Sequence, residues 1–160
     1  MINNKTGTPK LTMNGAPLQA YNFLVSFLGV GKLGFPNLLD IRFQRVSGIE
    51  MSGTMNNEII GGKKVRLPEF PTHGTLTLER GYVLGSPLRL EIEAGFEKLE
   101  FQPHNVMVIL LDNAGLPMAS WLFQKAVPVR WAMGELNASQ SGVFIETIEL
   151  SYTRFQPISL

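Results

Sequence analysis

Three glycines, Gly29, Gly31 and Gly34, stand in a G-x-G-x-x-G spacing directly after the alternating stretch FLVSF, a pattern that could cradle a dinucleotide pyrophosphate. That chemistry needs a strand, then the glycines, then a helix whose N-terminal amides face the phosphates. Pro36 follows Gly34 by two residues, and the chain alternates again from Ile41, so no helix of useful length fits between. The stretch reads as a loop between strands. The run IIGGKKV, Ile59 to Val65, invites comparison with a phosphate-binding loop, but Asn57 stands where the first glycine belongs and Lys64 stands where Ser or Thr should follow the lysine.

The other candidate groups are as poor in chemistry. Only His73 and His104 could act as imidazole bases or metal ligands, and neither has a second histidine at helical ligand spacing. His73 precedes Gly74 and His104 follows Pro103, so both read as turn residues. G-x-S-x-G is absent, and the carboxylate pairs Glu91/Glu93 and Glu146/Glu149 fall where surface charge is expected. The cationic cluster Lys63, Lys64 and Arg66 lacks interleaved aromatics for stacking bases and reads as a solvated hairpin tip. No catalytic, cofactor or metal site is expected, nor sequence-specific nucleic-acid binding.

The elements that would position such groups are mostly strands. The 160 residues suffice for one ordinary domain with its own core, and the absence of cysteine removes thiolate chemistry and disulfides. Fourteen Lys and Arg against thirteen Asp and Glu give +1, too little for bulk attraction to nucleic acid or an anionic membrane. The balance is uneven, with residues 1–80 at +4 and residues 81–160 at −3, which suits a subunit with oppositely charged ends. Residues 1–19, polar and holding two prolines, read as a flexible arm without a secretory core, and residues 20–160 as a single β domain.

Period-two alternation marks Phe23, Val25 and Phe27, then Ile41, Phe43 and Arg45, then Thr75 to Glu79. Val106 to Leu111 is apolar on both faces, and Val143 to Phe155 could form one long strand. One segment is helical: Ser86 caps, Pro87 opens, and Leu88, Ile92, Phe96 and Leu99 mark one face before Pro103. The expected architecture is mainly β, an antiparallel sandwich or barrel with one flanking helix.

The ordered set FLVSF, IRFQRVSGIEM, IIGGKKVRLPEF, LTLERGY, FEKLEFQPHNVMVILLDNAGLPMASWLFQKAVPVRWAMGELNAS and FIETIELSYTRF resembles the inner tail tube proteins of contractile phage tails and phage-tail-like contractile injection systems. The resemblance spans Tyr21 to Gln156 and departs from the family at Glu91, where many relatives carry a tryptophan. It implies a small β-sandwich with one helix, closing with its copies into a hexameric ring that shares an inner β-barrel. Rings of this kind stack into a rigid hollow tube that sheath contraction drives into a target. The implied partners are further copies, the sheath, the baseplate hub and spike, tape-measure and tube-terminator proteins, and cargo or DNA in the lumen. The implied setting is assembly in the producing cell's cytoplasm, within a virion tail or a released particle.

By position, the hairpin from Glu50 to Leu67 corresponds to the arm that reaches a neighbouring subunit or the next ring. Its expected contacts are Met55, Asn56, Asn57, Glu58, Ile59, Gly61, Gly62, Lys63, Lys64 and Arg66. Two alternatives remain open: a tube-initiating ring on the baseplate, and a monomeric β-barrel that encloses a small apolar ligand. For the glycine loop the expectation is sharp. Titration calorimetry with NAD or ATP gives no binding heat, and replacing Gly29, Gly31 or Gly34 with Ala has no effect on nucleotide binding; a measurable affinity would restore the nucleotide reading.

Overall fold

The structure, a computed structural model, describes residues 22–29, 40–70 and 73–159. Residues 1–19, Gly31, Gly34 and Pro36 lie outside these. The elements in chain order are β1 (Phe23–Leu28), β2 (Arg45–Ser47), β3 (Thr54–Ile60), β4 (Lys63–Glu69), β5 (Gly74–Gly81), α1 (Pro87–Lys98), β6 (His104–Leu111), β7 (Pro117–Met133), β8 (Ile145–Tyr152) and β9 (Arg154–Ile158).

All strand pairs are antiparallel, and the hydrogen-bonded order is β1-β6-β7-β8-β5-β2 with β9 also on β7. The long β7 belongs to two layers. Its first half pairs with β6 and β9, and its second half, from Val127, pairs with β8. The corner between them falls at Lys125, whose φ of 52° is left-handed and whose amide is taken by the Asn105 side chain at 3.1 Å. One layer is therefore β1, β6, the first half of β7 and β9; the other is the second half of β7, β8, β5 and β2.

Alternation fills the space between the layers. Val25, Phe27, Val106, Val108 and Phe123 point in from the first layer, and Leu76, Leu78, Ile148, Leu150 and Tyr152 from the second, all in one buried cluster. The Phe123 ring stacks on Phe155 at 5.2 Å and meets Tyr152 edge-on at 4.9 Å. Burial, and to a lesser degree Glu50, raises the Tyr152 phenol above its ordinary pKa.

The expected helix is present, with a shifted buried face. Ser86 accepts from the Arg89 amide at 3.1 Å and Pro87 occupies the first turn. Leu88, Ile92 and Gly95 are buried, whereas Leu99 ends the helix in a left-handed turn at 87% exposure. Phe96 faces partly outward, edge-on to Phe101 at 4.9 Å. Gly95 replaces an apolar side chain because Phe101 covers it so closely that a Cβ would stand 2.4 Å from the ring.

Other expectations need correction. The strand placed over Ile41, Phe43 and Arg45 begins only at Arg45. The preceding residues instead cross between the layers: the Ile41 carbonyl takes the Val25 amide of β1 at 3.0 Å, and the Gln44 amide reaches Glu79 of β5 at 2.8 Å. Val143 to Phe155 is split between β8 and β9 at Thr153, whose amide binds the Gln124 carbonyl at 3.0 Å. His104 opens β6 and meets Glu91 at 2.5 Å.

The largest departure is Glu146, which is fully buried. Its carboxyl accepts from Arg80 Nε at 2.8 Å through one oxygen and from the Trp131 indole at 2.8 Å through the other. Arg80, 1% exposed, also binds Asp40 at 2.6 Å and the Ser86 hydroxyl at 2.8 Å, with its guanidinium 5.0 Å from the Phe43 ring centre. Asp40 in turn accepts from the Ser86 hydroxyl at 2.5 Å and from the Leu88 amide at 3.0 Å. One guanidinium thus joins β5, β8, the crossing segment and the start of α1. Removing it leaves two buried acids facing each other, a loss of about 3–5 kcal/mol. Arg80→Met is expected to lower unfolding stability by that amount in denaturant titrations, and an unchanged midpoint would contradict the role given to Arg80.

Candidate functional site

The hairpin stands apart from this packing. β3 and β4 pair only with each other, from Thr54↔Glu69 to Ile60↔Lys63, and form a separate two-stranded sheet. Gly61 and Gly62 connect them with φ of 59° and 79°, the pair of positive values that a two-residue type I′ turn requires. Open space surrounds both glycines. They therefore serve the backbone of the turn.

Every residue of the two strands is exposed except Val65, which is half-buried. The ten expected contact residues all lie on this hairpin: Met55, Asn56, Asn57, Glu58 and Ile59 on β3, Gly61 and Gly62 at the turn, and Lys63, Lys64 and Arg66 on β4. The turn is confined to the glycines, and the strands run on to Glu69, two residues past the expected end.

The register sorts the side chains into two faces. Met55, Asn57 and Ile59 share one face with Lys64, Arg66 and Pro68; it carries two cations and no acid. The other face holds Asn56, Glu58, Ile60, Lys63, Val65, Leu67 and Glu69, with an Asn56 to Glu69 hydrogen bond across the strands. Ile59 is 77% exposed, and Met55, Ile60, Met51 and Phe70 are also open to solvent. A lone two-stranded ribbon is marginal in water, and large apolar side chains along it signal a surface awaiting a partner.

A second set of features concerns the layers themselves. Outside the core, β5 and β8 present Thr75, Thr77 and Glu79 beside Ser151, Glu149 and Thr147 in register, a polar sheet surface. In the other layer Met107, Ile109 and Leu111 of β6 are half-buried on the face away from the core.

Cavities are small. The space beneath α1, lined by Phe27, Leu88, Ile92, Ala126, Pro128 and Leu150 with Glu91 and His104 at its rim, measures about 230 Å³, below the roughly 300–1,000 Å³ of typical ligand pockets. The space between the layers is taken by side chains. Among the described residues no group of three or more His, Asp or Glu is placed to hold a metal, and no helix is long and apolar enough to cross a membrane.

The buried Arg80 centre is the feature that residue patterns should have disclosed and did not. Arg80 shares parity with Leu76 and Leu78, and Glu146 with Ile148 and Leu150, so alternation alone places both charges inside.

Comparison with known proteins gives this geometry a family. The family model described as T4-like virus tail tube protein gp19 matches residues 19–156. Among solved structures, a chain of the anti-feeding prophage baseplate, 6-fold symmetrised, is 36% identical, with a TM-score of 0.75 over 89% of this chain and 96% of that one. A chain of the PVC sheath-tube complex, an extracellular contractile injection system in its extended state, is 17% identical with a TM-score of 0.76 over 97% and 100%. A chain of the anti-feeding prophage tube-terminating cap is 18% identical with a TM-score of 0.73 over 91% and 93%. No curated protein matches the chain. The fold is shared across all three, and the family is one of structural tube proteins, not enzymes. With its match running through nearly every described element, the chain belongs to the T4-like virus tail tube protein family.

Proposed function

We propose that this chain is a ring subunit of the inner tube of a contractile tail or injection particle. Six copies close side by side, and their β7–β8–β5–β2 layers join into one barrel. The polar surface of Thr75, Thr77, Glu79, Thr147, Glu149 and Ser151 faces an aqueous lumen through which cargo or DNA passes. Closure removes exposed strand edges, which a free sheet would leave open to wrong pairing. Rings stack through the hairpin, and the sheath surrounds them outside. Assembly takes place in the producing cell's cytoplasm, and the tube meets baseplate, tape-measure and terminator proteins at its ends.

The observation that carries this reading is the hairpin: a tail-tube-family chain holds a separate, solvent-exposed two-stranded sheet with Met55 and Ile59 displayed along one face. Such an arm has no use in an isolated subunit. A second reading, the ring that starts the tube on the baseplate, is favoured by one contrast. Identity is 36% to the chain of a baseplate structure and 17% to the chain of a sheath-tube complex. The two readings differ in product: a main tube subunit extends into long tubes alone, whereas an initiating ring stops after one ring or a few and seeds tubes of a second protein.

Removing residues 56–64 tests the arm. The shortened chain is expected to keep its thermal transition, because no core residue lies in the deleted segment, and to lose stacking in electron micrographs. Tubes of normal length from it would refute an axial arm. Trypsin offers an independent check: in dissociated subunits cleavage at Lys63, Lys64 or Arg66 precedes cleavage at the buried Arg80 and Arg89, and assembly protects the hairpin. A hairpin cut equally fast in assembled material would show that it contacts nothing.

A further inference from the structure

The hairpin's cationic face has a counterpart elsewhere on the same molecule. Lys64 and Arg66 lie two residues apart on one face of β4, and neither has an ion-pair partner among the described residues. On the outer side of α1, Glu93 and Glu97 stand one helical turn apart, above a shallow groove completed by Phe96, Val129, Arg130 and Trp131. Glu97 has no ion-pair partner among the described residues, Glu93 meets only Arg89 at 3.5 Å, and Arg130 is engaged by Glu149 at 2.9 Å. The groove's net character is therefore acidic. Its apolar part is open as well, with Val129 at 52% exposure and Phe96 at 36%.

We propose that the Met55–Ile59 and Lys64–Arg66 face of the hairpin docks into the groove between α1 and the second half of β7 on a neighbouring copy of this chain. This rests on the ring-subunit reading and names the surface through which copies join. Three features support it. Charge is complementary: the hairpin face carries two cations, and the groove carries Glu97 beside Glu93, the latter held by Arg89, with Arg130 answered by Glu149. Spacing is complementary too: alternate residues on a strand lie about 6.6–6.8 Å apart, and residues four apart on a helix rise by about 6 Å. Each charged row is flanked by apolar side chains, Met55 and Ile59 on the hairpin and Phe96 and Val129 in the groove, so that docking covers both. The tip and the groove are different surfaces of one chain. The contact is therefore heterologous, the kind that builds closed rings and stacked arrays and not isolated pairs.

The absence of native cysteine gives a direct test. Ile59→Cys and Val129→Cys, both at exposed positions, are made separately, mixed at high concentration and oxidised, and disulfide-linked pairs are read on a non-reducing gel beside micrographs of the same material. Cross-links that appear only in the mixture are expected. Such pairs without rings would support the docking and overturn the ring reading. Rings without such pairs would overturn the docking and leave the ring reading standing. Ile59→Cys linked mainly to itself would show hairpin-to-hairpin association and also overturn it. In a parallel series, Lys64→Glu with Arg66→Glu, or Glu93→Lys with Glu97→Lys, is expected to weaken assembly by about tenfold or more, and the fourfold variant to recover it. Unchanged assembly in both charge-reversed pairs would contradict the proposal.

Discussion

The Arg80 guanidinium is the point at which the separate parts of this structure are tied together. It lies on the core-facing side of β5 and binds a carboxyl from β8, a carboxyl from the segment crossing between the layers and the capping serine of the helix. A buried charge is tolerated only where every lone pair and proton around it is engaged. Here the requirement is met from several elements at once: Glu146 uses both oxygens, and Ser86 donates to Asp40 while accepting from Arg80 and the Arg89 amide. The helix can then start at only one place and in one direction. Asp40, also holding the Leu88 amide, adds negative charge where the helix dipole favours it.

With helix and sheets fixed this way, apolar burial is concentrated between the two layers and nothing in the core reaches the hairpin. The consequence is a subunit of two characters. One part is a filled sandwich with its own satisfied interior; the other is a ribbon whose backbone pairs along one edge of each strand and whose large side chains face solvent. In the proposed ring the second gains its order from a neighbour, so the contacts that matter for that function are those a lone chain leaves unmade.

Much of this was legible in the residues and some was not, for physical reasons. Alternation found β1, β5 and β8, the continuous apolar run found β6, and the Ser86-Pro87 pair found the start of the helix, because capping and the apolar pattern of a strand are local properties. The Gly61-Gly62 turn was equally local. The face of the helix was misjudged at Phe96 and Leu99, since the choice between them and Gly95 depends on Phe101 folding back over the glycine. The corner at Lys125, which divides β7 between two layers, has no signature in a residue type that rarely adopts left-handed φ. Glu146 was read as surface charge because composition was weighed above parity. The ten hairpin residues were assigned through resemblance to a family and not through chemistry, and in the proposed assembly their partners lie on another copy of the chain, which local residue patterns do not encode.

The central claim is that copies of this chain assemble into rings, and negative-stain microscopy with light scattering on the purified protein across a concentration series, alone and with a baseplate or sheath partner, tests it most directly. Six-fold rings with a central hole, or hollow tubes built from them, are the predicted result. A strictly monomeric particle at every concentration and with either partner would contradict the account.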